Sequence, residues 1–406
     1  MKAALRQNPR EHRRSLAPLT RETFDLVIIG GGITGANLLW DAALRGLRAL
    51  LVEKNDYASG TTQATSKLIH GGLRYLKNGE FGLVRESLRE RRTLARIAPH
   101  ALRPEAFLFS IYKGQPAGRW KMGTALTIYD WMGIDRNRGL DARHRLPAAR
   151  YLNRTQTLAE EPALHQHNLT GSYVYYDYAN LNPERLCVEF LMAARAQGAV
   201  CRNYTEGVSL ERQGETYTVG LRDALTGETA SVTSRAVINA TGPWADDLSG
   251  RVTGEARRRI KRSKGIHIVT RKFIREKTVI RMKQDGTHLF VVPWRGGSLI
   301  GTTDAGFEDH PDRLRVTAAD VEGVLADINR LFPGAHLSSD EVRYFYGGLR
   351  PLVDDGANKS YDSSRRMEIV EHTDDNLPGF FTVLGGKYTT SRHLAERAMD
   401  RVCEFL

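Results

Sequence analysis

A glycine-rich turn near the N-terminus limits the fold of this chain more than any other feature. The apolar, β-branched run 24–29 predicts a central parallel strand that is buried on both faces. It leads directly into Gly30, Gly32 and Gly35, which match the pattern Gly-x-Gly-x-x-Gly. Such glycines make a tight turn, let backbone N–H groups approach a pyrophosphate and bring a helix against the strand. The pattern therefore predicts a dinucleotide-binding turn.

The elements after the turn support this interpretation, because a lone glycine pattern is a weak signal. Residues 36–45 indicate a helix that closes at Gly46, and residues 49–52 indicate a second strand that ends at Glu53. An acid about 20 residues beyond the glycines accepts hydrogen bonds from a ribose hydroxyl and repels a 2′-phosphate. The order of strand, turn, helix, strand and acid predicts nucleotide binding and disfavours NADP.

Two later segments favour FAD over NAD. Residues 235–239 and 380–384 each indicate a buried strand that runs into a turn of small residues. Those small residues are Ala240, Thr241 and Gly242 after the first strand, and Gly385 and Gly386 after the second. Backbone N–H groups at such turns and at the helix start that follows can hold a flavin edge or a ribityl chain. Three separate segments that converge on one elongated ligand suit FAD better than NAD.

The composition limits the class of protein but does not identify what it binds. The 406 residues are 41% hydrophobic, which is enough for two domains or one large interleaved unit. The 59 Lys and Arg against 47 Asp and Glu suit nucleic acid, an anionic membrane surface or a phosphorylated small molecule. Cys187, Cys201 and Cys403 show no ligand spacing, so we expect a reducing, cytoplasmic environment.

Several patterns are interpreted as non-functional. Residues 1–22 carry five arginines without an apolar run, which predicts a short disordered basic tail rather than an export signal. No window of about 18 apolar residues predicts a membrane span. His165 and His167 lack a third ligand at a matching spacing, so no metal is expected. The arginine-rich run 256–262 lacks interleaved aromatic residues, so we expect a solvated face and no nucleic acid.

One stretch of the sequence is too rich in polar residues and glycine to be an ordinary part of the hydrophobic core. Residues 65–76, with the sequence TSKLIHGGLRYL, resemble the signature of the FAD-dependent, quinone-linked glycerol-3-phosphate dehydrogenases. The resemblance extends to the motifs at 300–304, 347–352 and 385–390, and it covers the chain from Phe24 to about Arg401. Related amino-acid oxidases share the first glycine turn and the last glycine segment.

The resemblance implies an α/β fold: a two-dinucleotide-fold, amino-acid-oxidase-like FAD-binding fold with an interleaved substrate domain rich in β-sheet. We expect the FAD-binding domain at 23–98, 171–262 and 346–406, and the substrate-binding domain at 99–170 and 263–345. Many family members continue into a C-terminal helical domain. Because the sequence ends at Leu406, soon after the last motif, we expect a short form of the family.

The resemblance also implies the cations of a substrate pocket. Arg350 and Lys387 correspond to family residues by motif, and Arg365 corresponds by spacing, although Arg366 is adjacent. Arginine can hold two phosphate oxygens at once, while lysine acts as a point charge. Five further residues complete the FAD contacts that the resemblance implies: Thr65, Ser66, Lys67, Asp304 and Thr389.

His70 is the best candidate for the general base, because a neutral imidazole can accept the proton of an alcohol. Arg74 follows it by four residues and favours the neutral form, and Tyr75 can hydrogen-bond a phosphate. Without the resemblance a lone histidine is more often structural. His267, within a predicted strand, is an alternative base.

The implied reaction is oxidation of sn-glycerol 3-phosphate to dihydroxyacetone phosphate, with hydride passing from C2 to flavin N5. The implied acceptor is a membrane quinone, or oxygen in some members, and the enzyme is expected on the inner membrane surface, with a homodimer left open. Residues 118–132 mix cations and aromatics as an interfacial segment does, although packing explains them equally. The alternatives are oxidation of another small anion, such as a 2-hydroxy acid or amino acid, and non-catalytic flavin binding.

Overall fold

Two mixed β-sheets organise the chain, which a computed structural model describes over residues 15–255, 257–354 and 366–406. The strands are β1 (Thr23–Ile29), β2 (Ala49–Val52), β3 (Leu68–Ile69), β4 (Leu102–Tyr112), β5 (Arg150–Asn153), β6 (Leu169–Asn180), β7 (Val200–Arg202), β8 (Thr205–Gln213), β9 (Thr216–Asp223), β10 (Thr229–Asn239), β11 (Ile260–Arg271), β12 (Thr278–Met282), β13 (His288–Trp294), β14 (Gly297–Gly301), β15 (Ala305–Gly306), β16 (Tyr344–Val353), β17 (Met367–Glu371) and β18 (Phe380–Gly385). The α-helices are α1 (Ile33–Leu44), α2 (Phe81–Ile97), α3 (Arg119–Met132), α4 (Arg154–Glu160), α5 (Pro183–Ala196), α6 (Ala245–Thr253), α7 (Ala318–Leu331) and α8 (Ser391–Phe405).

The first sheet has eight strands, and its main path runs β17-β18-β10-β1-β2-β7. Strands β18, β10, β1, β2 and β7 are parallel, whereas β17 and β9 pair antiparallel at β18 and β10. The apolar runs predicted as strands at 24–29, 49–52, 235–239 and 380–384 lie in β1, β2, β10 and β18, so these predictions are confirmed. Their side chains are buried because helices such as α1, α5 and α8 pack on the sheet.

The order of three parallel strands explains why the small-residue turns meet. β18, β10 and β1 are neighbours in the sheet and point the same way. The carboxyl ends of parallel neighbours lie at one edge, which is where open α/β sheets bind ligands. The turns after these three strands therefore converge, although they are more than 100 residues apart in sequence.

The second sheet has ten strands, and its main path runs β15-β11-β14-β13-β12-β4-β6-β3. β16 pairs with β11, and β5 pairs with β6. Helix α7 covers one face, and α2 and α3 cover the other. The predicted domain boundaries at 170/171, 262/263 and 345/346 fall inside β6, β11 and β16, so those strands extend across them. The division into two domains stays a prediction.

The predicted basic tail is only partly within the described residues, since 1–14 lie outside them. Within residues 15–22, the apolar Leu16 and Leu19 are buried and insert into the core beside the first sheet. The Ser15 hydroxyl and the Leu16 N–H both donate to the Glu228 carboxylate at 3.0 Å. Within the described ranges, no helix is both long and apolar enough to cross a membrane.

Candidate functional site

A cleft of about 890 Å³ lies where the first and second turns meet at this edge of the sheet. This volume is in the usual range of about 300–1,000 Å³ for small-molecule sites. Six of the residues predicted to bind the cofactor line the cleft: Gly30, Gly32, Glu53, Ala240, Thr241 and Gly242. The sequence-predicted nucleotide residues of the first and second turns are thus brought together.

The backbone of the first turn fits a dinucleotide because side chains are excluded from it. Gly30 has φ +118°, and a Cβ there would lie 2.5 Å from the carbonyl oxygen of Ala240. A Cβ on Gly35 would lie 1.9 Å from the carbonyl oxygen of Gly30. The glycines therefore let β1, β10 and α1 approach closely. Helix α1 begins at Ile33, so its N-terminal N–H groups and dipole face the turn and suit a pyrophosphate.

Glu53 lies at the end of β2 and holds the turn through its carboxylate. Oε2 accepts a hydrogen bond from the Gly31 N–H at 2.7 Å, and Oε1 accepts one from the Asn55 N–H at 2.8 Å. A carboxylate has about four acceptor positions, so it can also accept a ribose hydroxyl. Thr62 was missed in the sequence, yet its Oγ1 accepts from the Ile33 N–H at 3.0 Å and it lines the same cleft. The only sequence signal that could have pointed to Thr62 is the pair of adjacent hydroxyl residues, Thr61 and Thr62.

A second feature, which we call the His70 group, consists of His70, Arg74, Tyr75 and Lys387. His70 follows β3, and Arg74 and Tyr75 lie in the short 3₁₀ helix Leu73–Asn78, while Lys387 follows β18. The Lys387 Nζ lies 4.6 Å from the centre of the Tyr75 ring, and the Arg74 guanidinium carbon lies 4.8 Å from it. The structure thus brings together four residues from two distant motifs.

The charges in the His70 group keep the imidazole neutral. Burial, together with the nearby cations of Lys387, Arg74 and Arg91, lowers the pKa of His70 to about 3. Burial also lowers the pKa of the Lys387 ammonium. A neutral imidazole surrounded by cations can accept a proton and favours an anionic ligand.

A third feature, the His267 group, consists of His267, Ser66, Arg350 and Asp304. His267 lies on β11 and is 3% exposed, its Nε2 is 2.9 Å from the Ser66 Oγ, and its ring stacks on Tyr346. Burial, together with the cations of Arg350 and Lys67, lowers the pKa of His267 to about 3. His267 is therefore a neutral, buried imidazole as well.

Arg350 is held in place by hydrogen bonds to the second sheet and to the turn after β14. Its guanidinium donates to the Ser263 Oγ at 2.9 Å, to the Thr303 carbonyl at 2.9 Å and to the Thr302 Oγ1. Asp304 lies 3.6 Å away and also accepts from Ser263 at 3.0 Å. Lys387 lies in the His70 group and Arg350 in the His267 group, and the third predicted cation, Arg365, lies outside the described residues.

The remaining predicted cofactor residues lie outside the large cleft. Gly385 and Gly386 have φ +68° and +78°, and Thr389 accepts the His70 N–H at 3.4 Å. The Lys67 ammonium is 2.5 Å from a Glu184 carboxylate oxygen. Thr65 accepts the Tyr346 hydroxyl at 2.7 Å through its carbonyl, so the segment 65–70 links the two histidine groups.

The two histidines of the HxH pattern are exposed. The rings of His165 and His167 lie 6.1 Å apart. The part of the chain that the structure describes contains no group of three or more His, Cys, Asp or Glu side chains able to hold a metal ion.

Comparisons with known proteins agree with this geometry. The model of the DAO family, described as FAD dependent oxidoreductase, matches residues 25–392. A glycerol-3-phosphate dehydrogenase of Synechocystis sp. is 34% identical over 96% of this chain and 71% of its own length. The crystal structure of the glycerol-3-phosphate dehydrogenase from Bacillus halodurans complexed with FAD is 31% identical, with a TM-score of 0.74 over 96% of this chain and 66% of that chain.

A glycine oxidase from Geobacillus kaustophilus shares the fold, with a TM-score of 0.71 at 22% identity over 94% of this chain and 95% of that chain. The predicted α/β, amino-acid-oxidase-like fold class and the FAD cofactor are therefore confirmed. The chain belongs to the DAO family of FAD-dependent oxidoreductases and, within it, to the glycerol-3-phosphate dehydrogenases.

Proposed function

We propose that this chain oxidises sn-glycerol 3-phosphate to dihydroxyacetone phosphate with FAD as its cofactor. The observation that supports this most is the His70 group, in which two cations, Arg74 and Lys387, surround a neutral imidazole. Two cations suit a phosphate dianion, and a neutral imidazole suits the proton of a secondary alcohol. The names of the Synechocystis and Bacillus relatives support the same substrate.

Each residue of the group has a distinct part in this proposal. Lys387 and Arg74 bind the phosphate, and the Tyr75 ring between them orients both cations. His70 accepts the proton of the C2 hydroxyl on a ring nitrogen. FAD, when bound, supplies the chemistry of hydride acceptance from C2. The first and second turns bind its nucleotide part through Gly30, Gly32 and Gly35.

Substrate binding itself makes His70 a better base. Burial and the three cations together hold the pKa of His70 at about 3, which is too low for efficient proton transfer near neutral pH. A dianion beside Lys387 and Arg74 offsets the part of this shift that the cations cause, so it raises the pKa of His70. The base thus gains strength only when the phosphate is in place.

The His267 group has a supporting part in the proposal. Arg350 provides a further cation for the substrate, as Arg365 does, and His267 is the alternative base. Ser66 connects the two histidines, because it lies four residues before His70 and 2.9 Å from the His267 Nε2. The variants His70→Asn and His267→Asn separate the two candidates: the true base loses flavin reduction while it keeps substrate binding.

We further propose that the electrons pass to a membrane quinone and that α3 places the protein on an anionic membrane surface. Trp120 and Trp131 are 82% and 73% exposed and lie 11 residues apart, about three helical turns, so they share one face of α3. Ile134, just beyond the end of α3, is also exposed, and Arg119 and Lys121 flank Trp120 with positive charge. Exposed tryptophans beside cations are typical of membrane-interface helices.

The proposed activity is tested by adding glycerol 3-phosphate anaerobically to the purified FAD-loaded protein and following the visible flavin band. Prompt bleaching is expected. Bleaching by lactate or an amino acid, but not by glycerol 3-phosphate, would show oxidation of a different small anion. No bleaching by any of them, in a protein that dithionite does bleach, would indicate a non-catalytic flavin-binding protein.

A further inference from the structure

A buried chain of hydrogen bonds lies directly behind the backbone that carries His70. The N–H of Gly71 donates to the Tyr129 hydroxyl at 2.9 Å and approaches an Asp177 carboxylate oxygen at 3.3 Å. The Tyr129 hydroxyl lies 3.0 Å from both carboxylate oxygens of Asp177. Arg91 donates to the same carboxylate from the other side. The three side chains are 1–3% exposed, so water does not compete for these bonds.

The protonation of Tyr129 fixes the direction of this chain. Burial and the Asp177 carboxylate both raise the pKa of Tyr129 well above its ordinary value, so the side chain stays a hydroxyl. The hydroxyl therefore donates to Asp177 and accepts from the Gly71 N–H. The Arg91 guanidinium compensates the buried carboxylate, as a buried charge requires. Every step from the Gly71 backbone to Arg91 is thus a defined donor–acceptor pair.

This network explains the glycine that follows His70. A Cβ on Gly71 would lie 2.3 Å from the Tyr129 hydroxyl and 2.4 Å from the Leu88 Cδ2 atom. Any other residue would displace the backbone from its two hydrogen-bond partners. Glycine at position 71 is therefore needed for close contact with the network.

Helix α2 ties the network to the substrate cation. Ser87 and Arg91 are four residues apart on α2 and share one face. Ser87 accepts a hydrogen bond from the Lys387 ammonium, while Arg91 holds Asp177. One face of one helix therefore fixes both Lys387 and the backbone of His70. Among the residues that the structure describes, the charged groups that lower the pKa of His70 are the cations Lys387, Arg74 and Arg91.

We propose that Tyr129, Asp177 and Arg91 are positioning residues that hold the His70 backbone where its ring can take a proton from the substrate. This inference rests on the proposed function. None of the three needs to touch the substrate, because they act through the N–H of Gly71.

Tyr129→Phe is the primary test because it removes one hydroxyl and leaves the ring and the Arg91–Asp177 pair in place. Asp177→Asn would leave Arg91 buried without a counter-charge and risks unfolding. The matched control is Tyr175→Phe: Tyr175 is 6% exposed and packs edge-on against Tyr129 at 6.2 Å, but its hydroxyl is not bonded to Gly71. Both variants are studied as FAD-loaded full chains.

For Tyr129→Phe we expect kcat with glycerol 3-phosphate to fall about ten- to a hundredfold, since small displacements of a catalytic group have effects of this size. KM and flavin content stay within about twofold of wild type, as expected of a residue that acts on the base alone. The acid limb of the kcat profile moves to higher pH, because a loosened His70 is better solvated. Tyr175→Phe keeps the wild-type profile.

A second control separates positioning from helix stability. Glu90, the residue before Arg91, is 0% exposed and binds Arg392 of α8 at 2.7 Å, away from Gly71. Glu90→Gln should lower the melting temperature without moving the pH profile. If Glu90→Gln or Tyr175→Phe reproduces the kcat loss of Tyr129→Phe, the inference is overturned.

Hydrogen exchange gives a readout that needs no substrate. In the FAD-loaded protein, the peptide that contains Gly71 should exchange its amides faster in Tyr129→Phe than in wild type or Tyr175→Phe. Unchanged exchange together with an unchanged pH profile would overturn the positioning role alone. Failure of glycerol 3-phosphate to bleach the wild-type flavin would instead overturn the proposed function, so the two failures are distinguishable.

Discussion

The Nζ atom of Lys387 lies 4.6 Å above the ring of Tyr75, although the two residues are separated by most of the chain. The ammonium also donates to the Ser87 hydroxyl of α2. An ammonium group has three N–H donors, so a lysine that contacts one ring and one hydroxyl can still donate a hydrogen bond to a ligand. This arrangement suits a lysine that receives an anion.

Lys387→Met should therefore weaken substrate binding far more than cofactor binding. A hydrogen bond to a charged group contributes about 1.5–3 kcal/mol, so we expect KM for glycerol 3-phosphate to rise about ten- to a hundredfold. Steady-state kinetics and the flavin content of the purified protein measure the two effects. The control is Lys77→Met, an exposed lysine on the neighbouring 3₁₀ helix. Equal loss of flavin and of substrate affinity in Lys387→Met would place this residue at the cofactor.

Two helical glycines are expected to respond in opposite directions to alanine. A Cβ on Gly35 in α1 would collide with the Gly30 carbonyl oxygen at 1.9 Å, whereas a Cβ on Gly323 in α7 meets nothing within 4 Å. Gly35→Ala should cost about 3 kcal/mol of unfolding free energy and reduce FAD retention. Gly323→Ala should stabilise by about 1 kcal/mol, because alanine favours helix. Urea unfolding and flavin release are measured for both variants. Equal effects of the two substitutions would contradict the close backbone approach described for the first turn.

The nucleotide-binding part could be predicted from the sequence because its signals are local. The strands before Gly30, Ala240 and Gly385 are continuous apolar runs that end at small residues, and the structure places them side by side. Boundaries of the interleaved segments were harder, since β6, β11 and β16 have no break in their strand pattern where the predicted segments meet. Residues 15–22 were interpreted as part of a tail because they contain no apolar run, yet the isolated Leu16 and Leu19 are buried.

The surroundings of the candidate base could not be predicted, because they depend on contacts between distant segments. Asp177 lies in an ordinary strand sequence and Arg91 in an ordinary helix sequence. The two residues are 86 positions apart in the chain, and they form a buried ion pair only in the folded protein. In the same way the partners of Arg350 come from the pairing of β11 with β16 and from the turn after β14. The charged residues can be identified in the sequence, but their ion-pair partners depend on which segments pack together in the folded chain.

Replacing the exposed tryptophans of α3 should weaken membrane attachment. Trp120 and Trp131 expose two large apolar rings on one side of α3, and burial of these rings in a bilayer is the interaction that Trp120→Ser/Trp131→Ser removes. We expect at least a tenfold loss of binding to anionic lipid vesicles, measured by co-sedimentation, with unchanged flavin content. The control is Met192→Ser/Leu225→Ser, which removes two exposed apolar side chains from other elements. Equal loss in both double variants would indicate non-specific adsorption.

The buried His267 should make folding stability fall as the pH falls. Its pKa is about 3 in the folded chain and about 6.5 when unfolded, so between these values only the unfolded chain binds the proton. The free energy of unfolding therefore keeps its full value, as far as His267 is concerned, above pH 6.5. It decreases by about 1.4 kcal/mol per pH unit as the pH falls from 6.5 towards 3. His267→Gln removes the titrating group and keeps a side chain that can hydrogen-bond Ser66.

Urea unfolding of wild type and His267→Gln between pH 4.5 and 8 measures this contribution. The difference between their unfolding free energies should be constant above about pH 7 and should shift in favour of the variant below pH 6.5, with the slope of one proton. A pH-independent difference over the whole range would mean that His267 is protonated equally in both states. That result would contradict its placement as a buried, neutral imidazole beside Arg350.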